Sequence, residues 1–546
     1  MLQSLRTQWK QGVDTLTRRE LFRRSALLTL PAIFRTDAAA ATHAAPAVEG
    51  LRPDLDDKNV KDVYRSIGVR PVINARGTFT IISGSLMLPE VRAAIDAAAQ
   101  QHVHLDELMA AIGARLAELT KAEWGMVSSG CSAGLTHATA ACVAGGNPDL
   151  HVRIPDLNGF SKDEVIIPRH SRNVYDAAVR AVGVRVIEVA TREELEAAFG
   201  PRTAMVYILA GPNADAGPLS TRAIAAVAHQ KQVPVLVDAA AEILTIPNVH
   251  LENGATLVAY SGGKCLRGPQ SAGLLLGQKS LVQAAWVHSA PHHGFARGMK
   301  VGKEEALGML MAVEMWTRRD HNAEWSRWLS WLDDIARHVS RIDGVTTSVT
   351  ETKELSNRTP SLSIRWDPKR LGISGAAVAK HLMDTEPRIA TPGGRDRDEE
   401  ASISITPYQM SAGDEKIVAE RIYATLSNPP KQDAPVPPSA PAVDVSGQWD
   451  VRIEYLAATS THTLHLRQVG SRVEGTHQGD FVSRDLAGTI DGNGVQFSSS
   501  YTERHGDALS FRFTGTVTAS QMAGTLDMGE YLTAKWSAKR HDYTRG

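Results

Sequence analysis

The stretch NPPKQDAPVPPSAPAVD at 428–444 most limits what this chain can fold into. It has neither helical nor strand periodicity, and its prolines remove the donors that either structure needs. Such a segment reads as a semi-rigid spacer. The textures on its two sides differ, so the 546 residues are expected to form more than one domain.

Before the spacer, short apolar runs alternate with amphipathic ones. DEVIIP, VRVIEV, TAMVYILAG, VPVLVDAAA, TLVAYSGG and AGLLLG read as strands, whereas PEVRAAIDAAAQQ, HLDELMAAIGARLAELT, TREELEAAFG and STRAIAAVAHQKQ carry the i, i+3, i+4 spacing of helices. This alternation predicts an α/β fold, a mostly parallel sheet flanked by helices, with ligands at the carboxyl ends of the strands. After the spacer come short alternating strands with turns every 8–12 residues, DGNG being the clearest hairpin. They predict an all-β, lipocalin-like meander closing into a small barrel, with Trp449 and Trp536 packed together inside it.

The N-terminus adds a third texture. TRRELFRRSALLTLPAIF at 17–34 and AAAATHAAPA after it run from arginines through a short apolar stretch to small residues. That order is the order of an export signal, and Arg18-Arg19 followed by Leu21 and Phe22 has the look of a twin-arginine leader, with cleavage near 41–45. A periplasmic protein is the expectation; a cytoplasmic protein with a basic amphipathic tail is the alternative. The expected domains are an export region at 1–45, an α/β domain at 46–428 whose large part spans about 110–320, a linker at 429–443 and a β-domain at 444–546.

Composition narrows the function. A formal net charge of −1 argues against broad binding to nucleic acid or to an anionic membrane. No apolar run reaches the length of a membrane helix. Three scattered cysteines, Cys131, Cys142 and Cys265, make neither a disulfide framework nor a zinc site, and no metal is expected.

Four features then recur in chain order within the α/β part. Ser129, Gly130, Cys131 and Ser132 open a helix after a strand, a setting whose backbone N–H groups bind phosphate. Asn213 follows the strand TAMVYILAG. Asp238 ends the apolar strand VPVLVD, where a carboxylate is costly without a partner. Lys264 stands in YSGGKCLRGPQSAG, between a Gly-Gly pair and a Gly-Pro turn. Each alone is commonplace. Together they match pyridoxal 5′-phosphate, which has a phosphate, a ring hydroxyl, a pyridine nitrogen kept protonated by a carboxylate, and an aldehyde that joins a lysine amine.

Those segments resemble fold-type I pyridoxal-phosphate enzymes, in particular the branch that holds bacterial selenocysteine synthase and the sugar-acid ammonia-lyases. YSGGKCLRGPQSAG is close to that branch's SG(G/D)K…GGPQ(A/S)G signature, and PVINARGTFT (71–80) and RGMKVGKEEALGML (297–310) are similar to its other segments. The resemblance spans about 60–427. It implies that Lys264 carries the cofactor and moves the Cα proton, that Asp238 faces the ring nitrogen, and that Ser261 and the 129–132 loop hold the phosphate. It implies further that Asn213 lies near the ring hydroxyl and that Gln270 approaches the cofactor of a neighbouring subunit in a homodimer or a multiple of one. His170 in PRHSRNVYDAA is either a ring-stacking residue or an ordinary loop histidine. Lys300 and Lys303 are either a basic pair of the family or a solvated helix face. Arg76, Arg395 and Arg397 are the candidates for the substrate carboxylate. Cys131 and Cys265 stand beside the cofactor where small apolar residues would be ordinary, and are either filler or reactive thiols, filler being the expectation.

The implied activity is a β-eliminating ammonia-lyase acting on a small amino acid. Transamination, racemisation and aldol cleavage share its early steps and stay open. The RNA-dependent reaction of selenocysteine synthase is not expected, because this N-terminus looks like an export leader rather than a basic RNA-binding extension and the net charge is −1. The rival class is a binding protein that has kept the fold without turnover.

Overall fold

The computed structural model describes residues 63–394, 396, 400–431, 439–502 and 508–543. The segment expected to be a leader, Arg395 and Arg397 lie outside the described residues, as do residues 432–438 of the linker. The chain divides into two compact units, 1–71 and 72–546. In the first, the described part is a single 3-10 turn, Arg65–Ile67, ended by Gly68 at φ 79°.

The second unit is built on a seven-stranded sheet. Its strands are β1 (Trp124–Ser128), β2 (Glu164–Pro168), β3 (Arg185–Val189), β4 (Thr203–Leu209), β5 (Val235–Asp238), β6 (Leu257–Ser261) and β7 (Gly273–Gly277). They lie in the order β1-β7-β6-β5-β4-β2-β3, and every pairing is parallel except the two made by β7. This is the mostly parallel sheet of the fold-type I enzymes. The strands β2, β4, β5 and β7 are buried almost throughout, which is why they read as continuous apolar runs rather than alternating ones.

Helices pack against the sheet. The ones that matter below are α1 (Pro89–Ala99), α2 (Leu105–Thr120), α3 (Cys131–Ala144), α4 (Thr221–Gln230), α5 (Lys279–Val287) and α6 (Lys303–Arg318). Helix α3 is buried on nearly every residue and has no polar face, because Ala, Gly and Thr let it lie close to its neighbours on all sides.

A smaller lobe follows. Helix α7 (His321–Val339) leads into the antiparallel strands β8 (Thr346–Glu351), β9 (Pro360–Trp366) and β10 (Ala401–Ile405), with α8 (Gly375–Asp384) and α9 (Asp414–Ser427) completing its own apolar core. A short parallel pairing of Ile73–Asn74 with Ile389–Ala390 draws residues from near the start of the unit into this lobe.

The last part is a closed barrel of eight antiparallel strands. They are β11 (Gly447–Glu454), β12 (Thr459–Val469), β13 (Arg472–Gln478), β14 (Ser483–Asp491), β15 (Gly494–Thr502), β16 (Ala508–Val517), β17 (Gln521–Asp527) and β18 (Thr533–Arg540). Each pairs with its sequence neighbour, and β18 closes onto β11. Closure leaves no edge to aggregate. One expectation fails here. Trp449 and Trp536 are both buried, but the register sets Trp449 opposite Arg540 and Trp536 opposite Ile453, so the two indoles occupy different levels of the barrel. Trp449 donates to the Val445 carbonyl at 2.8 Å, and Trp536 meets Phe513 edge-on.

Candidate active site

The carboxyl end of β5 delivers Asp238 into the interior, 2% exposed. Three donors converge on it. The Tyr207 hydroxyl donates to one carboxylate oxygen at 2.9 Å. The Ala240 N–H at 3.1 Å and the Cys131 thiol at 3.6 Å donate to the other. Tyr207 reaches it diagonally across the β4–β5 pairing, in which Tyr207 stands opposite Leu236 and Leu209 opposite Asp238. Asn173 donates in turn to the Tyr207 oxygen at 3.1 Å. Asn173 is held by a loop that is itself clamped, because the buried Asp176 carboxylate takes bonds from Arg172 at 2.6 Å and Arg180 at 2.7 Å.

Burial raises the Asp238 carboxyl above the usual range, and the Ala240 N–H, the Tyr207 hydroxyl, the Lys264 charge and the Cys131 thiol pull it back only in part. A buried carboxylate left short of positive charge is stabilised by a cation or a charged N–H set against it. Burial and the Asp238 charge together raise the Cys131 thiol and the Tyr207 phenol, so both stay protonated and act as donors. Cys131 therefore does more than fill space, contrary to the reading from sequence.

Lys264 lies in a tightly folded loop. The N–H of Gly262 donates to Ala272, that of Gly268 to Gly262, and that of Arg267 to Lys264. A side chain at Gly262 would strike the carbonyls of Pro269 and Ala272, and one at Gly263 would overlap Gln270. The two glycines are thus required by the loop's own closure, which fixes where the lysine starts. Ser261 ends β6, half-buried, paired with Gly273.

The 129–132 loop opens α3. Gly130 takes φ 92°, α3 has no side-chain cap and no acidic residue in its first turn, and the space above Gly130 is open. A helix start without a cap leaves N–H donors that suit an anion. Ser129 donates to the Met299 carbonyl at 2.9 Å, tying the loop to the 297–310 segment. Ser132 is exposed on the first turn of the helix.

His170 sits in the turn after β2. Burial lowers its imidazole, so the ring is neutral at pH 7, and its buried Nε2 has no hydrogen-bond partner among the described residues. The orphaned nitrogen, the under-compensated Asp238 and the uncapped α3 all fit pyridoxal phosphate.

The other expected residues make no hydrogen bond to the Asp238 carboxylate among the described residues. Asn213 is exposed in the helical turn Pro212–Asp215 after β4. Gln270 is exposed and donates to Thr80 at 3.3 Å. Arg76 is half-buried, its guanidinium 4.2 Å over the Phe79 ring. Lys300 is exposed, and Lys303 pairs with Glu304. The Cys265 thiol, pushed up to about 12 chiefly by burial, donates to the Glu242 carbonyl at 3.1 Å. Beside Cys265 opens a cavity of about 990 Å³ whose walls include Arg319, Trp325, Trp328, Arg358 and Tyr408. Arg319 is bound there to Glu324 at 3.0 and 2.7 Å and to the Cys265 carbonyl at 3.1 Å.

Sequence reasoning missed Tyr207 and Asn173. A tyrosine in an otherwise aliphatic buried strand was the available signal, since its hydroxyl needs a partner.

The aminotransferase class-V family profile matches residues 169–292. The chain is 30% identical over 370 residues to D-glucosaminate-6-phosphate ammonia lyase of Salmonella typhimurium (strain 14028s / SGSC 2262), covering 66% of this chain and 97% of that one. It is 31% identical over 380 residues to 5'-C-glycyluridine monooxygenase-decarboxylase of Streptomyces sp, covering 66% and 92%. Among solved structures, D-glucosaminate-6-phosphate ammonia-lyase superposes with a TM-score of 0.60 at 27% identity, over 67% of this chain and 98% of that one.

Proposed function

The chain belongs to the aminotransferase class-V family of pyridoxal-phosphate enzymes, and from that membership we propose that it is a β-eliminating ammonia-lyase acting on a small amino acid or amino-sugar acid. The observation that carries this reading is the buried Asp238, held by three donors and within reach of the Lys264 charge, in a chain whose ammonia-lyase relative aligns over nearly its full length.

Pyridoxal phosphate, when bound, supplies an aldehyde carbon for the substrate amine and a protonated ring that takes up the electron pair left at Cα. Asp238, as a carboxylate, would keep a proton at the ring nitrogen, and its three donors favour that ionised form against the cost of burial. The α3 N-terminus and Ser261 would hold the phosphate, and His170 would be the residue to cover one face of the ring. Lys264 Nζ takes the proton from Cα, and departure of a β-substituent follows. With Asp238 2% and Cys131 7% exposed, bulk water would be kept from a ring nitrogen set against that carboxylate.

The test is an amino-acid panel with the cofactor-loaded protein. Ammonia and an oxo acid formed without any acceptor support a lyase. A strict need for an oxo-acid acceptor would sink it in favour of transamination. Dioxygen uptake with release of carbon dioxide would do the same in favour of the chemistry named for the Streptomyces relative.

Two further parts of the reading concern the cell. We propose export through the twin-arginine leader, which carries folded proteins and so allows loading with cofactor first; full-length, uncleaved chain in the cytoplasm of fractionated cells would overturn it. We propose a homodimer, with Gln270 near the neighbouring subunit's site; a monomer by light scattering at micromolar concentration would refute it. No helix among the described residues is long and apolar enough to cross a membrane.

A further inference from the structure

Between Asp238 and Lys264 the chain buries a second carboxylate. Glu242 is 3% exposed and His250 2% exposed, and His250 Nε2 donates to a Glu242 carboxylate oxygen at 2.5 Å. Neither side chain bonds to Asp238 among the described residues. A carboxylate buried so deeply is costly without a partner, and apolar residues of similar volume often serve stability as well as a buried pair does. The use of this pair therefore lies in what its geometry fixes.

Glu242 stands where three parts of the fold meet. Its carbonyl accepts from the Cys265 thiol at 3.1 Å, and Cys265 directly follows Lys264. Its backbone bridges to Ser356, between β8 and β9 of the smaller lobe. That bridge is flanked by bonds from the Ile243 N–H to Leu355 at 3.0 Å and from the Asn357 N–H to Ala241 at 2.8 Å. Its side chain is tied through His250 to the helical turn Val249–Glu252. The turn is itself anchored, because Asn248 caps it by accepting from the His250 and Leu251 N–H groups and donates to the Tyr260 hydroxyl at 2.7 Å. On its other side, Cys265 accepts at its carbonyl from Arg319 at 3.1 Å. The residue after the lysine is thus held at its carbonyl by Arg319 and at its thiol by Glu242.

We propose that Glu242 and His250 are a positioning pair for Lys264, an inference that rests on reading Lys264 as the cofactor-bearing lysine. The pair sets the Glu242 carbonyl, the carbonyl sets Cys265, and Cys265 sets the course of the lysine loop. Because the same backbone is bonded to 355–357, the lysine loop and the smaller lobe share one anchor.

Titration of the full chain with pyridoxal phosphate tests this, read by cofactor affinity, by the maximum of the visible band and by the melting temperature. Glu242→Ala and His250→Ala are each expected to weaken affinity about tenfold and to move the band. Glu242→Gln keeps an oxygen for the His250 N–H and is expected to restore both towards wild type. Cys265→Ala leaves the pair intact and removes the thiol; it is expected to move the band in the same direction, and it decides the matter if Glu242→Ala does not fold. Variants that melt lower yet bind the cofactor with wild-type affinity and an unmoved band would overturn the proposal, as would a Glu242→Gln protein as impaired as Glu242→Ala. A wild-type protein whose band borohydride does not fix would overturn the reading of Lys264, and the proposal with it.

Discussion

The Tyr207 hydroxyl donates to Asp238 at 2.9 Å and takes a bond from Asn173 at 3.1 Å, so the carboxylate proposed to face the cofactor is positioned by a residue in mid-strand and by a loop beyond it. A hydrogen bond to a charged group contributes about 1.5–3 kcal/mol. Tyr207→Phe is therefore expected to lower kcat/KM by about tenfold or more. Loss of a donor favours the protonated carboxyl, so the acidic limb of the pH–rate profile should move to higher pH. An unmoved limb with lower activity would mean that Tyr207 acts through packing alone.

Lys264→Ala is expected to lose the visible absorbance of the cofactor-loaded protein and its fixation by borohydride. Activity should fall at least the 10²–10⁴-fold typical of a lost acid–base group. A mutant that still turns yellow and is still fixed by borohydride would place the reactive lysine elsewhere.

Gly273→Ala should release the phosphate. A Cβ at that position would overlap the backbone of Gly130 and Cys131. Overpacking of this kind costs about 1–3 kcal/mol, and here the backbone that must yield is the start of α3. The mutant should melt lower and bind pyridoxal phosphate more weakly, read by fluorescence titration of the apoprotein. Unchanged affinity would show that the loop tolerates displacement.

Two buried histidines predict an acid-sensitive core. His137 on α3 has no partner at either ring nitrogen among the described residues, and burial lowers it to about 4. His288, 2.9 Å from His151, is lowered to about 3, first by burial and then by the neighbouring imidazoles. Their folded values lie below the unfolded one of about 6.5. Stability is then complete above pH 6.5 and is lost as the pH falls from there towards 3–4, because the unfolded chain takes up protons first. His137→Leu, close in volume, should raise the melting temperature and flatten its fall between pH 7 and 5. An equally steep fall would assign the acid sensitivity to other groups.

How much of this was legible in the chain follows from how far each signal reaches. The alternation before the spacer and the meander after it are local periodicities, and they determined the fold class and the barrel. The order Ser129–Ser132, Asp238, Lys264 was legible because strand ends and glycine turns carry their own residue chemistry. Tyr207 was not, because its hydroxyl acquires a purpose only when β4 lies beside β5 in register. Gly273 reads as one more glycine until β7 passes against the α3 start. In the barrel, THTLHLRQV shows alternation but not which histidine faces in. Closure decided that His462 is buried and His465 exposed, and gathered His477, Arg484 and Ser499 at the same end. Contacts between residues far apart in the chain are set by strand order and register, which no local period encodes, and these were left to the tertiary structure.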